Sequence, residues 1–174
     1  MPSSARTICS GQAATRYVAI SLTEPHGSRN ATRCQYTAQV QKLFLSSPRF
    51  AVVGASKDQS KFGTKVLKWY LARDKTVTPI HPKESELEGV STVRSVADLT
   101  SPSETSISII TPPKITLGVL EQAKALSVPA LWLQPGAEDD AVISYIKDNG
   151  LEDKVIYGGP CILVDGDGIL KSLL

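Results

Sequence analysis

The 174-residue chain is 41% hydrophobic and 21% charged with a net charge of +2, which describes an ordinary globular protein with room for one domain and one sizeable core. That charge is too small to argue for nucleic acid, and no basic run with interleaved aromatics is present. No apolar stretch approaches the roughly 18 residues a membrane-spanning helix needs. The three cysteines, Cys9, Cys34 and Cys161, form no CxxC or Cys/His ligand pattern, which suits free thiols in a reducing compartment rather than a zinc site.

Charge is unevenly spread along the chain. Residues 1 to 49 hold six basic residues against the single acid Glu24, a balance of +5, so the remainder carries −3. Up to about residue 34 the sequence is also rich in Ser and Thr and lacks helical or alternating periodicity. An Arg-rich, acid-poor leader of this kind resembles a mitochondrial transit peptide; a disordered tail or an overextended gene start is the alternative, with a cytoplasmic location. The division expected is therefore a leader over 1–34 and one folded domain over 35–174.

From about Tyr36, Ala38, Val40, Leu43, Phe44 and Leu45 sit at helical spacing, and Ser46-Ser47-Pro48 ends the helix. Phe50 to Val53 reads as the first strand, and Thr64 to Arg73 as the helix after it. Thr76 to Ile80 is the second strand, stopped by His81-Pro82 because proline cannot donate to a central ladder. A charged loop leads to a helical turn at Ser95–Leu99 and a third strand at Ser106–Ile110. A helix over Ile115–Leu126, a strand over Ala130–Leu133, a helix over Glu138–Asn149 and a strand over Lys154–Tyr157 follow. Asp165-Gly166-Asp167-Gly168 suggests a hairpin turn, with too few oxygen ligands for a calcium loop. The alternation predicts an α/β fold: a Rossmann-like, doubly wound, mostly parallel five-stranded sheet with helices on both faces.

Ligands of such sheets bind outside the carboxyl ends of the strands, near the point where strand order reverses. Here those ends read Gly54-Ala55-Ser56-Lys57, His81-Pro82-Lys83, Thr111-Pro112-Pro113-Lys114, Gln134-Pro135-Gly136 and Gly158-Gly159-Pro160-Cys161. Turns collect glycine and proline in any case, but three lysines close to one rim are not explained that way. Gly54 lets the backbone approach an anion, Ser56 and backbone N–H groups can donate to phosphate oxygens, and Lys57 or Lys61 can neutralise charge ahead of the helix entered by Phe62-Gly63. NAD fits poorly. The G-x-G-x-x-G fingerprint is absent, since the glycine after Gly54 is Gly63, and Lys83 stands where an acid would meet a ribose diol. A lysine there suits a phosphorylated ribose, as in coenzyme A or NADP, and charge alone does not separate these two.

The runs FAVVGAS, KFGTKVLKWYL, TPIHPK with ELEGV, SISIITPP, ALWLQPGA and GGPC occur in that order. Together they resemble the small single-domain CoA-binding proteins, which are similar to the nucleotide-binding domain of the succinyl-CoA synthetase α subunit. The resemblance spans about residues 36 to 168. It implies that CoA or an acyl-CoA lies across the strand-end rim, with Gly54-Ala55-Ser56 near its phosphates and His81-Pro82-Lys83 near its adenosine end. Thr111-Pro112-Pro113 would line the cleft. Two departures accompany it. The chain lacks the synthetase's second domain with its phosphorylated histidine, and His81 stands where bacterial relatives usually carry Asn.

The resulting expectation is a CoA-binding module without catalysis, with a homodimer left open. The rivals are an NADP-dependent oxidoreductase, for which no Tyr-x-x-x-Lys pair is present, and a thiol enzyme using Cys161 with CoA, for which no neighbouring base is visible in sequence.

Overall fold

A computed structural model describes residues 29–174, with side chains in the first helix from Thr37 onward. Most of the expected leader, 1–28, lies outside the described residues. Helix α1 (Arg29–Leu45) leads into strand β1 (Arg49–Val53), α2 (Phe62–Leu71) and β2 (Val77–Ile80). A short hairpin, β3 (Glu86–Leu87) and β4 (Val90–Ser91), and two 3₁₀ turns, Val96–Asp98 and Pro102–Glu104, precede β5 (Thr105–Ile109). Then come α3 (Pro113–Ala125), β6 (Leu131–Leu133), α4 (Asp140–Asp148), β7 (Val155–Ile156) and α5 (Ile162–Leu173). Among the described residues no helix is long and apolar enough to cross a membrane.

The main sheet has the order β2-β1-β5-β6-β7, and every pairing in it is parallel. Alternation along β1 shows why both faces are covered. Phe50 and Val52 point into a core with α1, α2 and α5 that holds Phe44, Leu67, Tyr70, Trp132 and Ile162. Ala51 and Val53 point the other way, against α3, α4 and the first 3₁₀ turn, among Ile107, Ile109, Leu120, Val142 and Ile146. The two serines on β5 are buried yet satisfied: Ser108 Oγ meets Tyr70 Oη at 2.9 Å and Ser106 Oγ meets Ser47 Oγ at 2.6 Å. Burial pushes the Tyr70 phenol above its ordinary value, against the opposing effect of the Ser108 hydrogen bond, so this pair stays neutral.

The five-stranded, doubly wound sheet with helices on both faces is the architecture expected from the sequence. Differences lie in what joins its parts. Pro79 sits inside β2, which is tolerable because β2 is an edge strand. Its carbonyl accepts from Val93 on the outer side at 3.1 Å, so the missing N–H falls away from β1. The charged loop after β2 contains the β3–β4 hairpin, whose two-residue turn has φ of 53° at Glu88 and 76° at Gly89. Both signs are those of a type I′ turn, whose twist matches that of the strands it joins.

The larger correction concerns Asp165-Gly166-Asp167-Gly168, which is part of helix α5 and not a hairpin turn. Gly166 is required by packing: a Cβ there would lie 2.5 Å from Trp69 Cζ2. Asp165 Oδ2 accepts from the Cys161 N–H at 2.9 Å and secures the helix start. Asp167 receives Arg73 Nε and Nη2, both at 2.6 Å, while the guanidinium lies 4.2 Å from the Trp69 ring centre. The Arg73 hydrogen bond holds the Asp167 carboxyl below the usual carboxylate range. A lowered folded-state value means the contribution is present above about pH 4 and is lost as pH falls through the lowered value. Acid unfolding followed by circular dichroism should therefore show the wild type losing a salt-sensitive part of its stability that Asp167→Asn lacks throughout. Superimposable acid profiles for the two would show that the pair, exposed as it is, contributes nothing.

Candidate functional site

After β1 the chain moves outward to β2, then crosses back to place β5 on the other side of β1. The strand order therefore reverses between β1 and β5, and the loops leaving their carboxyl ends flank a crevice. Gly54 closes the first loop onto the second: its φ is +103°, and a Cβ would meet the Ile110 carbonyl oxygen at 2.4 Å. Gly63, in the first turn of α2, packs still closer, since its Cβ would lie 2.1 Å from the Gly54 oxygen. The two glycines thus let the helix start rest directly on the strand end.

Thr64 fastens this turn. Its buried Oγ1 donates to the Ser56 carbonyl at 2.7 Å and accepts from the Ser56 N–H at 3.3 Å. Asp58 shapes the outer part of the loop by accepting from the Ser60 N–H at 2.9 Å and the Ser60 hydroxyl at 2.6 Å, and those bonds lower its carboxyl. Helix α2 begins after Lys61 with no side-chain cap. The N–H groups of Phe62, Gly63 and Thr64 have no hydrogen-bond partner among the described residues. Beside them the Ser56 hydroxyl is buried without a partner. Free helix-terminal donors with the positive end of the helix dipole form a ready anion site.

The other strand ends surround this point in sheet order. After β5, Thr111 Oγ1 lies 3.0 Å from Thr116 Oγ1, Pro112 precedes α3, and Pro113 occupies its first position, where a missing N–H costs nothing. After β2, His81 Nδ1 accepts the backbone N–H groups of Lys83 and Glu84 at 3.2 and 2.9 Å. Glu84 in turn pairs with Lys57 at 2.5 Å, which draws the β2 turn and the β1–α2 loop together. Lys57, expected to neutralise a phosphate, is thus occupied by Glu84, whose carboxyl is lowered chiefly by that contact. Lys61 and Lys83 are exposed, with no ion pair formed among the described residues. Gln59, Glu88 and Lys68 form a second link from the loop to the β3–β4 hairpin.

The remaining expected residues lie farther along the rim. Gln134, at the end of β6, is buried; its Oε1 accepts from the Ile162 N–H at 3.0 Å, while its Nε2 has no partner. Pro135 and Gly136 are exposed, with Gly136 at φ +92° in the turn. Cys161 is half-buried at the start of α5, and the preceding Pro160 carbonyl accepts from Trp132 Nε1 at 3.0 Å. Strand order puts Cys161, after β7, at the opposite edge from His81, after β2. Four inter-strand steps of about 4.8 Å separate them. Sequence reasoning missed Thr64 and Glu84, the two side chains that fix the loop's shape. A hydroxyl three residues past a helix N-cap was the signal available for Thr64, whereas nothing local marked Glu84 as the partner of Lys57. Among the described residues no group of three His, Cys, Asp or Glu side chains could hold a metal ion.

Fold and topology define a doubly wound α/β domain whose strand order reverses between β1 and β5. The family model of the CoA binding domain matches residues 48–167, and the chain belongs to that family. A conserved hypothetical protein from Pyrococcus furiosus is 35% identical, with a TM-score of 0.61, over 67% of this chain and 97% of that one. A protein from Thermus thermophilus is similar at 24% identity and TM-score 0.65, covering 76% of this chain and 98% of its own. A hypothetical protein from Pyrococcus horikoshii shares 22% identity at TM-score 0.66, over 77% and 92% of the two chains. The last two matches speak to the fold alone. No curated protein matches the chain. Membership supports coenzyme A in general as the ligand.

Proposed function

We propose that the chain binds CoA, or an acyl-CoA, along the carboxyl rim of its sheet as a non-catalytic module. The observation that carries this is the start of α2, where three backbone N–H groups and a buried Ser56 hydroxyl stand without partners beside the Gly54–Gly63 contact. The pyrophosphate sits there. Lys83, one strand outward, meets the ribose 3′-phosphate, and the pantetheine arm runs along Thr111-Pro112-Pro113 toward Gln134, whose free Nε2 can donate to an amide oxygen of the arm. The absence of catalysis is supported by the engagement of His81 in its own turn and by its distance from Cys161 across the sheet.

Thermal unfolding with CoA, acetyl-CoA, dephospho-CoA, NADP and NAD tests this reading, because a ligand at 100 times its Kd stabilises the native state by about 2.7 kcal/mol. CoA should stabilise and NAD should not; stabilisation by NADP without CoA would overturn the assignment. Lys83→Ala should weaken CoA roughly fivefold, the scale of an exposed charge contact, while leaving dephospho-CoA nearly unaffected. Equal losses for both would place Lys83 away from the 3′-phosphate.

A further inference from the structure

His81 uses its ring to hold the turn that follows β2. Nδ1 accepts two backbone N–H groups, from Glu84 at 2.9 Å and from Lys83 at 3.2 Å. Only the tautomer with its proton on Nε2 can do this, because Nδ1 has a single lone pair and a protonated ring has none to offer. The two amides belong to the residues that matter on this side of the rim: Lys83, and Glu84 with its ion pair to Lys57 of the phosphate loop. The His81 backbone is itself held by donation to the Val93 carbonyl at 2.9 Å. The ring therefore decides how the following turn is arranged, while the strand stays in place.

We propose that His81 is a positioning residue of the CoA site, whose neutral ring holds Lys83 and Glu84 in the binding arrangement and whose protonation releases them and weakens the coenzyme. This rests on CoA binding at the rim. The charged group acting on the ring is Glu84 on its own turn, with Lys57 from the β1–α2 loop behind it, while Lys83 contributes its backbone N–H and has an exposed side chain. From the outer side the chain offers the uncharged Thr92 and Val93, with Arg94 next. Protonation takes up the one lone pair of Nδ1, so a single proton breaks both bonds that hold the turn. An asparagine at 81 would offer a carbonyl oxygen to the same two amides, as in an Asx turn, with nothing to titrate.

The test compares CoA affinity by calorimetry at pH 8.0 and 5.5 for the wild type, His81→Asn and His81→Ala. The ligand's own phosphate titrates near pH 6, and this affects all three proteins alike. At pH 8.0 His81→Asn should match the wild type and His81→Ala should bind roughly tenfold more weakly, the scale of one or two lost hydrogen bonds. At pH 5.5 the wild type should move toward the level of His81→Ala while His81→Asn keeps its advantage. Parallel pH profiles for wild type and His81→Asn would overturn the proposal. Nitrogen-15 spectra of the imidazole give a ligand-independent readout: a neutral ring protonated on Nδ1 would also overturn it. If CoA bound none of the proteins at either pH, the proposed function would fall, and the tautomer together with hydrogen exchange at the Lys83 and Glu84 amides would still decide the role of His81.

Discussion

Gly63→Ala is expected to destabilise the protein by about 3 kcal/mol or more and to abolish CoA binding. Its Cβ would sit 2.1 Å from the Gly54 oxygen and 2.8 Å from the Ala55 nitrogen, both backbone atoms at a strand end, so no side-chain rotation relieves the overlap. Helix α2 would have to lift off β1, taking with it the Thr64 clamp on Ser56 and the free N–H groups at the helix start. Gly118→Ala supplies the control. It lies within α3, a Cβ there meets nothing within 4 Å, and alanine should stabilise a helix interior by about 0.5–1 kcal/mol. Urea unfolding midpoints at unchanged slope would report both changes. A Gly63→Ala protein at least as stable as the wild type would show that the close glycine contact is not a constraint.

This contact was only half legible in the sequence. Gly54 announced itself by following a continuous apolar strand, and the apolar runs at 50–53 and 131–133, with the isoleucine-rich run at 106–110 between them, made the parallel sheet readable as strands buried on both faces. Gly63 could be placed near a helix start, but its partner could not, because backbone-to-backbone packing leaves no residue-type signature. Helix α5 failed for the opposite reason. Asp165-Gly166-Asp167-Gly168 has the local chemistry of a turn, and two of its residues are explained by something distant: Gly166 by Trp69, Asp167 by Arg73. Helix α1 starts at Arg29 rather than near Tyr36, and its first turns were not legible because residues 29–36 carry no apolar stripe to mark them. At the site, the strand-end rule located the rim, whereas the occupation of Lys57 by Glu84 and of His81 by its own turn are pairings between loops that periodicity does not report.

The rim and the core are coupled through one side chain, and this gives the second large effect. Trp132, wholly buried on β6, packs edge-on against Phe44 of α1 at a centroid distance of 5.3 Å, and Phe44 in turn meets Phe50 of β1 at 5.9 Å. Its indole N–H reaches the Pro160 carbonyl, two residues before the start of α5. Trp132→Ala should therefore cost about 3–5 kcal/mol, the range for deleting a buried large aromatic with partial collapse of the cavity. Trp132→Phe keeps most of the apolar contact but leaves the Pro160 carbonyl without its donor, at about 1–2 kcal/mol. The two variants separate packing from tethering. Denaturant unfolding gives the total, and hydrogen exchange at Ile162, whose amide is held by Gln134, reports whether the start of α5 has loosened. Both variants should speed that exchange, because the tether is lost in each, although only Trp132→Ala should approach global instability. If Trp132→Phe left the Ile162 amide as protected as in the wild type, the Gln134 contact alone would be holding the α5 end of the rim, and Trp132 would matter to the core only.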